Sequence, residues 1–380
     1  MASNRLKELH DAGVSIWLDF IERKMLRNGD LDRRIREDYL TGMTSNPTIF
    51  EKALAEGDAY DDQIRSVGGD FTAMELFELI ATTDVRDACD HFRGVYDQSN
   101  AYDGYVSIEV SPGAANDARA TISEATRLWA SVDRPNAFVK VPGTAEGAKA
   151  VRQLIANGIN INITLLFAID AYRAVIDAYM AGLEDRIAAG KEIKQVHSVA
   201  SFFVSRVDTE VDKRLDAAIK ENPNRAKELD GLRGKAAVAN AKLAYRLFQN
   251  EIASPRWKKL ADRGASVQRP LWASTSTKNP AYRDVMYVEQ LIGPDSVNTM
   301  PPQTIDAFRD HGVVKRTVDT GVDEAQQVIE TLRREGISID SVTDKLLADG
   351  IASFQKSFDE LIAGLQKKTK ALGKELVESH

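Results

Sequence analysis

Cysteine is nearly missing from this chain: Cys89 is the only one in 380 residues, so no disulfide can close within it. No apolar run approaches the roughly 20 residues that a membrane-spanning helix needs. Residues 1–10 are polar and mixed in charge, without the apolar stretch of a secretory signal. These absences lead to the expectation of a soluble, cytoplasmic protein. A basic excess is lacking too. Fifty Lys and Arg face 57 Asp and Glu, a net charge of −7, which speaks against nucleic acid as a partner while leaving room for a local phosphate pocket. The five histidines, His10, His91, His197, His311 and His380, form no paired metal motif, and Cys89 with His91 fits ordinary helix packing. A Gly-x-Gly-x-x-Gly fingerprint is missing as well. The stretch Gly143-Thr144-Ala145-Glu146-Gly147-Ala148-Lys149 has neither the glycine spacing of a phosphate-binding loop nor a Ser or Thr after its lysine. Neither a metal nor an organic cofactor is expected.

What is present is core-forming material in a regular order. Hydrophobic residues make up 43% of the chain, enough to bury a large interior. Short apolar runs at 14–19, 40–44, 105–110, 138–141, 159–165, 197–203, 267–273 and 296–299 read as strands, and helix-period stretches at 114–132, 145–156, 168–188 and 303–310 fall between them. Strands alternating with helices imply parallel pairing. Eight such units predict a closed (β/α)8 TIM barrel rather than a doubly wound sheet of five or six strands. Two long connections, 51–104 and 209–264, keep helical spacing and read as helical insertions, and segments near 324–335 and 342–365 form a helical C-terminal tail. With no Pro-, Ser- or Gly-rich linker, one decorated domain spanning 1–380 is the simplest organisation.

The chemistry is concentrated at strand ends. In Phe138-Val139-Lys140-Val141 the alternation of a strand puts Phe138 and Lys140 on one face. A lysine among apolar neighbours is costly unless paired or neutral, and a neutral amine can attack a carbonyl to form a Schiff base. The ordinary alternative is a lysine whose stem lies on the surface and whose head reaches water. In Asn160-Ile161-Asn162-Ile163-Thr164 the isoleucines share one face and the polar residues the other. The outside of a barrel meets helices, so the polar row points inward, toward a substrate or toward its own hydrogen-bond partners. Glu109 shares its face with Ser107, and Asp19 closes an apolar strand. Either acid alone reads equally well as a helix cap or an ion-pair partner. Two acids, a lysine and an Asn/Thr row at strand ends make a coherent set, because sites in this fold lie at the C-terminal face and carboxylates supply the proton transfers that iminium chemistry needs.

Phosphate binding is suggested by Ser201-Phe202-Phe203-Val204-Ser205-Arg206, where a strand gives way to a helix N-terminus. The competing reading is a surface ion pair from Arg206 to Asp208 or Glu210. Ser274-Thr275-Ser276-Thr277-Lys278-Asn279 adds hydroxyls and a second cation, a pattern that ordinary loops share.

Taken together, these segments resemble the transaldolase family, class I aldolases with a lysine Schiff base. The resemblance rests on Thr44-Ser45-Asn46-Pro47-Thr48-Ile49-Phe50, Val106-Ser107-Ile108-Glu109-Val110, Phe138-Val139-Lys140-Val141-Pro142, Gly158-Ile159-Asn160-Ile161-Asn162-Ile163-Thr164-Leu165-Leu166-Phe167 and Ser201-Phe202-Phe203-Val204-Ser205-Arg206-Val207-Asp208. They occur in the family's order over about residues 14 to 300. The resemblance implies that Lys140 forms the Schiff base, that Asp19 exchanges the proton of the C4 hydroxyl, and that Glu109 with Thr164 holds a catalytic water. It further implies that Asn46 and Asn162 bind substrate hydroxyls and that Ser201 and Arg206 bind phosphate. The implied reaction passes a dihydroxyacetone unit from sedoheptulose 7-phosphate to glyceraldehyde 3-phosphate in the non-oxidative pentose phosphate pathway, with sugar phosphates as the only partners implied. One departure stands out. Many members place an arginine after strand seven where this chain has Lys278, which carries the charge without the two-pronged fork. A fructose-6-phosphate aldolase and a non-catalytic sugar-phosphate-binding barrel are the alternatives. Oligomeric state is not legible in the sequence.

Overall fold

The computed structural model describes residues 4–55, 57–67, 71–374 and 376–377; His380 lies outside them. Eight parallel strands close into a barrel in the order of the chain: β1 (Val14–Asp19), β2 (Leu40–Thr44), β3 (Tyr105–Glu109), β4 (Ala137–Pro142), β5 (Ile161–Leu166), β6 (Ser198–Phe203), β7 (Arg269–Ala273) and β8 (Ser296–Met300). The expected TIM barrel is the observed fold. Closure requires β8 to pair with β1, which it does from Val14 with Ser296 through Leu18 with Met300.

Local chemistry sets the helix ends. The helix Ala145–Asn157 starts where the Thr144 hydroxyl accepts from the amide of Gly147 at 2.9 Å and stops at Gly158, whose φ of +89° suits glycine. The run 114–132, read from sequence as one helix, is instead a short 3₁₀ turn, Pro112–Ala114, followed by the helix Ala118–Val132. The break comes from Asp117, whose carboxylate accepts from the amides of Arg119 and Ala120 and so begins a new helix.

The core has two layers. Ile161, Ile163, Val139 and Val141 face outward and are fully buried under the helices, each such side chain contributing roughly 1.5–3 kcal/mol. Inside the barrel, inward-facing rings make an aromatic floor: Trp17 packs on Phe138 at 6.0 Å, and Phe138 stacks on Tyr105 at 4.3 Å. Gly42 opposite makes room, since a Cβ there would lie 2.5 Å from the Trp17 ring. Below the floor, β7 points Arg269 into the barrel, where it meets Asp103, Ser15 and the carbonyl of Tyr102.

The two long connections are helical, as their spacing predicts. Residues 51–104 hold Asp61–Ser66 and Ala73–Gln98, and 209–264 hold most of Ser205–Glu221 together with Ala226–Asp230, Ala236–Ala253 and Pro255–Ala261. The tail is longer than its periodicity suggested. Its last helix, Ile339–Ala371, packs on Pro47–Ala55, with Thr48 donating to Ser357 at 2.8 Å and an edge-to-face chain running Phe50–Phe77–Phe358. That places a C-terminal element beside the mouth of the barrel. No helix among the described residues is long and apolar enough to cross a membrane.

Candidate active site

Every candidate side chain except Asn162, the second residue of β5, comes from the C-terminal half of a strand or from the segment just after one. Asp19, Asn46, Lys140, Thr164, Ser201, Arg206 and Lys278 wall one cavity of about 340 Å³ at that end of the barrel. Glu109 and Asn162 stand behind the wall.

Lys140 sits on the aromatic floor with its side chain 7% exposed, and Nζ donates to Glu109 Oε2 and to the carbonyl of Ser45, both at 2.9 Å. Parallel register makes the first contact, since Glu109 and Lys140 are direct partners across β3 and β4. The strand pattern requires the amine to be paired or neutral; the structure gives it an acid at hydrogen-bond distance. Burial lifts the Glu109 carboxyl above its usual range, and the Lys140 charge partly opposes this. Asp19 is raised for the same reason, opposed first by Lys140 and then by its hydrogen bond from Thr44. Thr44 Oγ1 donates to Asp19 at 2.8 Å and lies 2.7 Å from Thr299 Oγ1. A hydroxyl has one proton to give, so Thr299 is the donor in the second contact, and the chain aims at the acid.

On β5, Thr164 reaches the cavity and its buried hydroxyl has no hydrogen-bond partner among the described residues. Asn162 is occupied: it donates to Ser107 Oγ at 3.0 Å and accepts from Ser201 Oγ at 2.7 Å. Its link to the cavity therefore runs through Ser201. Asn160, third member of the polar row, stitches the base of the sheet by donating to the carbonyls of Pro135 and Ala137. Asn46 caps the helix Pro47–Ala55 by accepting from the amide of Ile49 at 3.1 Å, which leaves its NH₂ group available toward the cavity it lines.

Arg206 stands at the start of the helix Ser205–Glu221. The ion pair to Asp208 or Glu210 does not form. Asp208 accepts from Tyr287 and the amide of Ala237, and Glu210 pairs with Arg214. Among the described residues no carboxylate pairs with Arg206; its guanidinium instead lies over the rings of Phe203 and Phe354. Lys278 arrives from the turn after β7. That turn begins at Ser274, whose φ of +56° is unusual for a side-chain-bearing residue and is held by Ser205, whose amide donates to the Ser274 carbonyl at 3.0 Å. Burial lowers the Lys278 amine, with Arg206 acting in the same direction. A buried amine beside two raised carboxyls, with two cations that pair with no carboxylate among the described residues, makes an arrangement that can take an anionic carbonyl compound.

Residues 16–365 match the family model for transaldolase/fructose-6-phosphate aldolase. The chain belongs to that family. A protein of Nostoc sp. named transaldolase 2 is 47% identical over 98% of this chain and 99% of its own length. The transaldolase of Frankia alni is 47% identical over 96% and 98%, and that of Thermobifida fusca 47% over 94% and 96%. The family match takes in β1 from Ile16, the other seven strands whole and most of the last helix.

This transaldolase-family barrel also brings in residues that sequence reasoning passed over. Lys52, one turn beyond Thr48 on the helix Pro47–Ala55, adds a cation beside Arg206 and Lys278, and Gln303, Thr299 and Phe354 also line the cavity. Thr44 was within reach, since it shares the inward face of β2 with Gly42 and opens a segment already singled out. Phe354 was not: an aromatic at helical spacing reads as core. Among the described residues no group of His, Cys, Asp and Glu is arranged to hold a metal ion. Cys89 is buried with its thiol against the Asn136 carbonyl, and His91 pairs with Asp32, so both are structural.

Proposed function

We propose that this chain is a cytoplasmic transferase of the non-oxidative pentose phosphate pathway that carries a dihydroxyacetone unit from sedoheptulose 7-phosphate to glyceraldehyde 3-phosphate on Lys140. The observation that carries this reading is the Lys140–Glu109 contact at 2.9 Å, set in the wall of a cavity that Asp19, Arg206 and Lys278 share.

Glu109, lifted by burial, takes the proton that must leave the Lys140 ammonium before the amine attacks C2 of the ketose. The carbinolamine loses water with protons relayed between Glu109 and a water held at the unpartnered Thr164 hydroxyl. Asp19 then takes the proton of the C4 hydroxyl, the C3–C4 bond breaks, and its electron pair passes to the iminium to give an enamine. The aldose phosphate leaves. Attack of the enamine on the acceptor aldehyde reverses these steps, with Asp19 returning its proton. Arg206 and Lys278 hold the phosphate, Asn46 a substrate hydroxyl, and Asn162 acts through Ser201 by fixing that hydroxyl's direction. Every proton in this scheme has a protein group to hold it.

Borohydride reduction with fructose 6-phosphate, followed by peptide mapping, tests the reading. A stable adduct on the peptide containing Lys140 is expected. Absence of the adduct, under conditions where the sugar phosphate measurably binds, would leave a non-catalytic barrel instead. Release of dihydroxyacetone as the main product without an acceptor would assign the family's other chemistry, fructose-6-phosphate cleavage.

A further inference from the structure

We infer that Phe354, on the C-terminal helix Ile339–Ala371, is a positioning residue that holds Arg206 for the phosphate and so favours phosphorylated over unphosphorylated acceptors. The inference rests on Arg206 being the phosphate ligand, as proposed above.

Arg206 is half-buried and has five N–H donors, yet no carboxylate among the described residues pairs with it. Its guanidinium carbon lies 5.2 Å from the Phe203 ring centre and 5.9 Å from that of Phe354, within the range where a cation is drawn to an aromatic face. Ring contacts restrain the group without consuming its N–H donors, which stay available for an anion. Phe203 belongs to β6, on the same connection as Arg206. Phe354 comes from the far end of the chain, and it too lines the cavity.

The helix is fixed closely enough to do this. One turn before Phe354, a Cβ on Gly350 would lie 2.9 Å from Leu165 Cδ2 and 3.8 Å from Arg206 Nη1, so the helix backbone is pressed against Leu165 and runs alongside Arg206. One turn after it, Thr48 and Ser357 are joined at 2.8 Å and Phe358 packs edge-on to Phe77. The stretch carrying Phe354 is thus anchored on either side. Fork geometry is also worth more in this chain than where two arginines share the work, because Lys278 contributes only a point charge.

The test compares kcat/KM for glyceraldehyde 3-phosphate with kcat/KM for unphosphorylated glyceraldehyde, each as acceptor, in the full chain. Phe354→Leu keeps the apolar bulk and removes the ring; this preference for phosphate should fall about fivefold, through KM of the phosphorylated acceptor more than through kcat. Phe354→Tyr restores a ring face and should stay within about twofold of the parent. Phe354→Met serves if the leucine variant is unstable. An unchanged preference in the leucine or methionine variant, or equal losses with both acceptors, overturns the inference. Arg206→Ala separates the two layers of the argument: it should lower the preference about a hundredfold. If it does not, the phosphate assignment of Arg206 fails; if it does while Phe354→Leu changes nothing, only the role of Phe354 fails.

Discussion

Two buried ion pairs occupy opposite ends of this barrel, and their burial does not tell them apart. Lys140 and Glu109 are 7% and 5% exposed, Arg269 and Asp103 4% and 5%. Saturation separates them. At the N-terminal end, Arg269 donates to Asp103, to Ser15 and to the Tyr102 carbonyl, and lies 4.0 Å over the Tyr102 ring. Asp103 in turn accepts from Ser15 at 2.8 Å. At the C-terminal end, the Lys140 amine has two partners and faces a cavity, and Glu109 accepts from Lys140 alone among the described side chains. A saturated pair is a fastener. An unsaturated pair beside a cavity can exchange its proton and change its bonding, which catalysis requires. Breaking the upper pair should therefore stop turnover and spare the fold, and breaking the lower pair should do the reverse.

The largest effect falls on the upper pair. Lys140→Met removes the proposed nucleophile, and kcat/KM should drop by about four orders of magnitude or more, since the covalent route would be lost outright. The urea midpoint should move little, because Glu109 can take up a proton once its cation is gone. A folded variant with near-parental rates would refute the assignment; a collapse of the fold would erase the contrast between the two ends.

Arg269→Met comes next. It leaves Asp103 buried without its cation, a change of about 3–5 kcal/mol in stability, read from urea unfolding. The folded fraction should keep its kcat. Replacing both partners, Arg269→Met with Asp103→Leu, should recover much of the loss, because no lone buried charge remains. A single substitution that lowers kcat in fully folded protein would show that the lower pair also serves the chemistry.

Glu109→Gln sharpens the comparison from the acid's side. Turnover should fall about a hundredfold. In the parent, burial raises both Glu109 and Asp19, so activity should decline on acidification at a pH above the ordinary carboxylate range. The glutamine variant has Asp19 alone, and the acid limb of its rate profile should become simpler. An identical limb in both proteins would remove Glu109 from the proton path.

The two ends were unequally legible in the sequence. Strand positions were readable because β-branched residues alternate with polar ones, as in Ile161 and Ile163 against Asn162 and Thr164. The inward face of each strand followed from that alternation, and with it the grouping of Lys140, Asp19 and Thr164. Register is a different matter. That Glu109 sits opposite Lys140, and that Asn162 spends its amide on Ser107 and Ser201, depends on the stagger between strands, which no single strand encodes. The lower pair was hidden for the same reason: Arg269 and Asp103 lie far apart in the chain, and an arginine opening a strand gives no sign that it turns inward. Lys52 and Phe354 were illegible because helix packing, not local pattern, carries them to the cavity.

The smallest effect belongs to the lower end, and it carries a pH signature. His197, at the foot of the barrel, is 7% exposed, lies 5.6 Å from the Tyr105 ring, and has Nε2 buried with no partner among the described residues. Burial, helped by the Arg269 charge, lowers its pKa from 6.5 to about 4. The sign follows from proton counting. Between those values the unfolded chain binds a proton that the folded protein refuses, so the stabilisation is complete above the unfolded pKa and is lost as pH falls through the folded one. The full span is worth about 3 kcal/mol. His197→Phe should therefore shrink the stability difference between pH 7 and pH 4.5, measured by urea unfolding, by about 2 kcal/mol. Carboxylates elsewhere titrate alike in both proteins and cancel. Equal pH dependence in the two would mean that the foot of the barrel admits the proton, and the contrast between the two ends would not extend to His197.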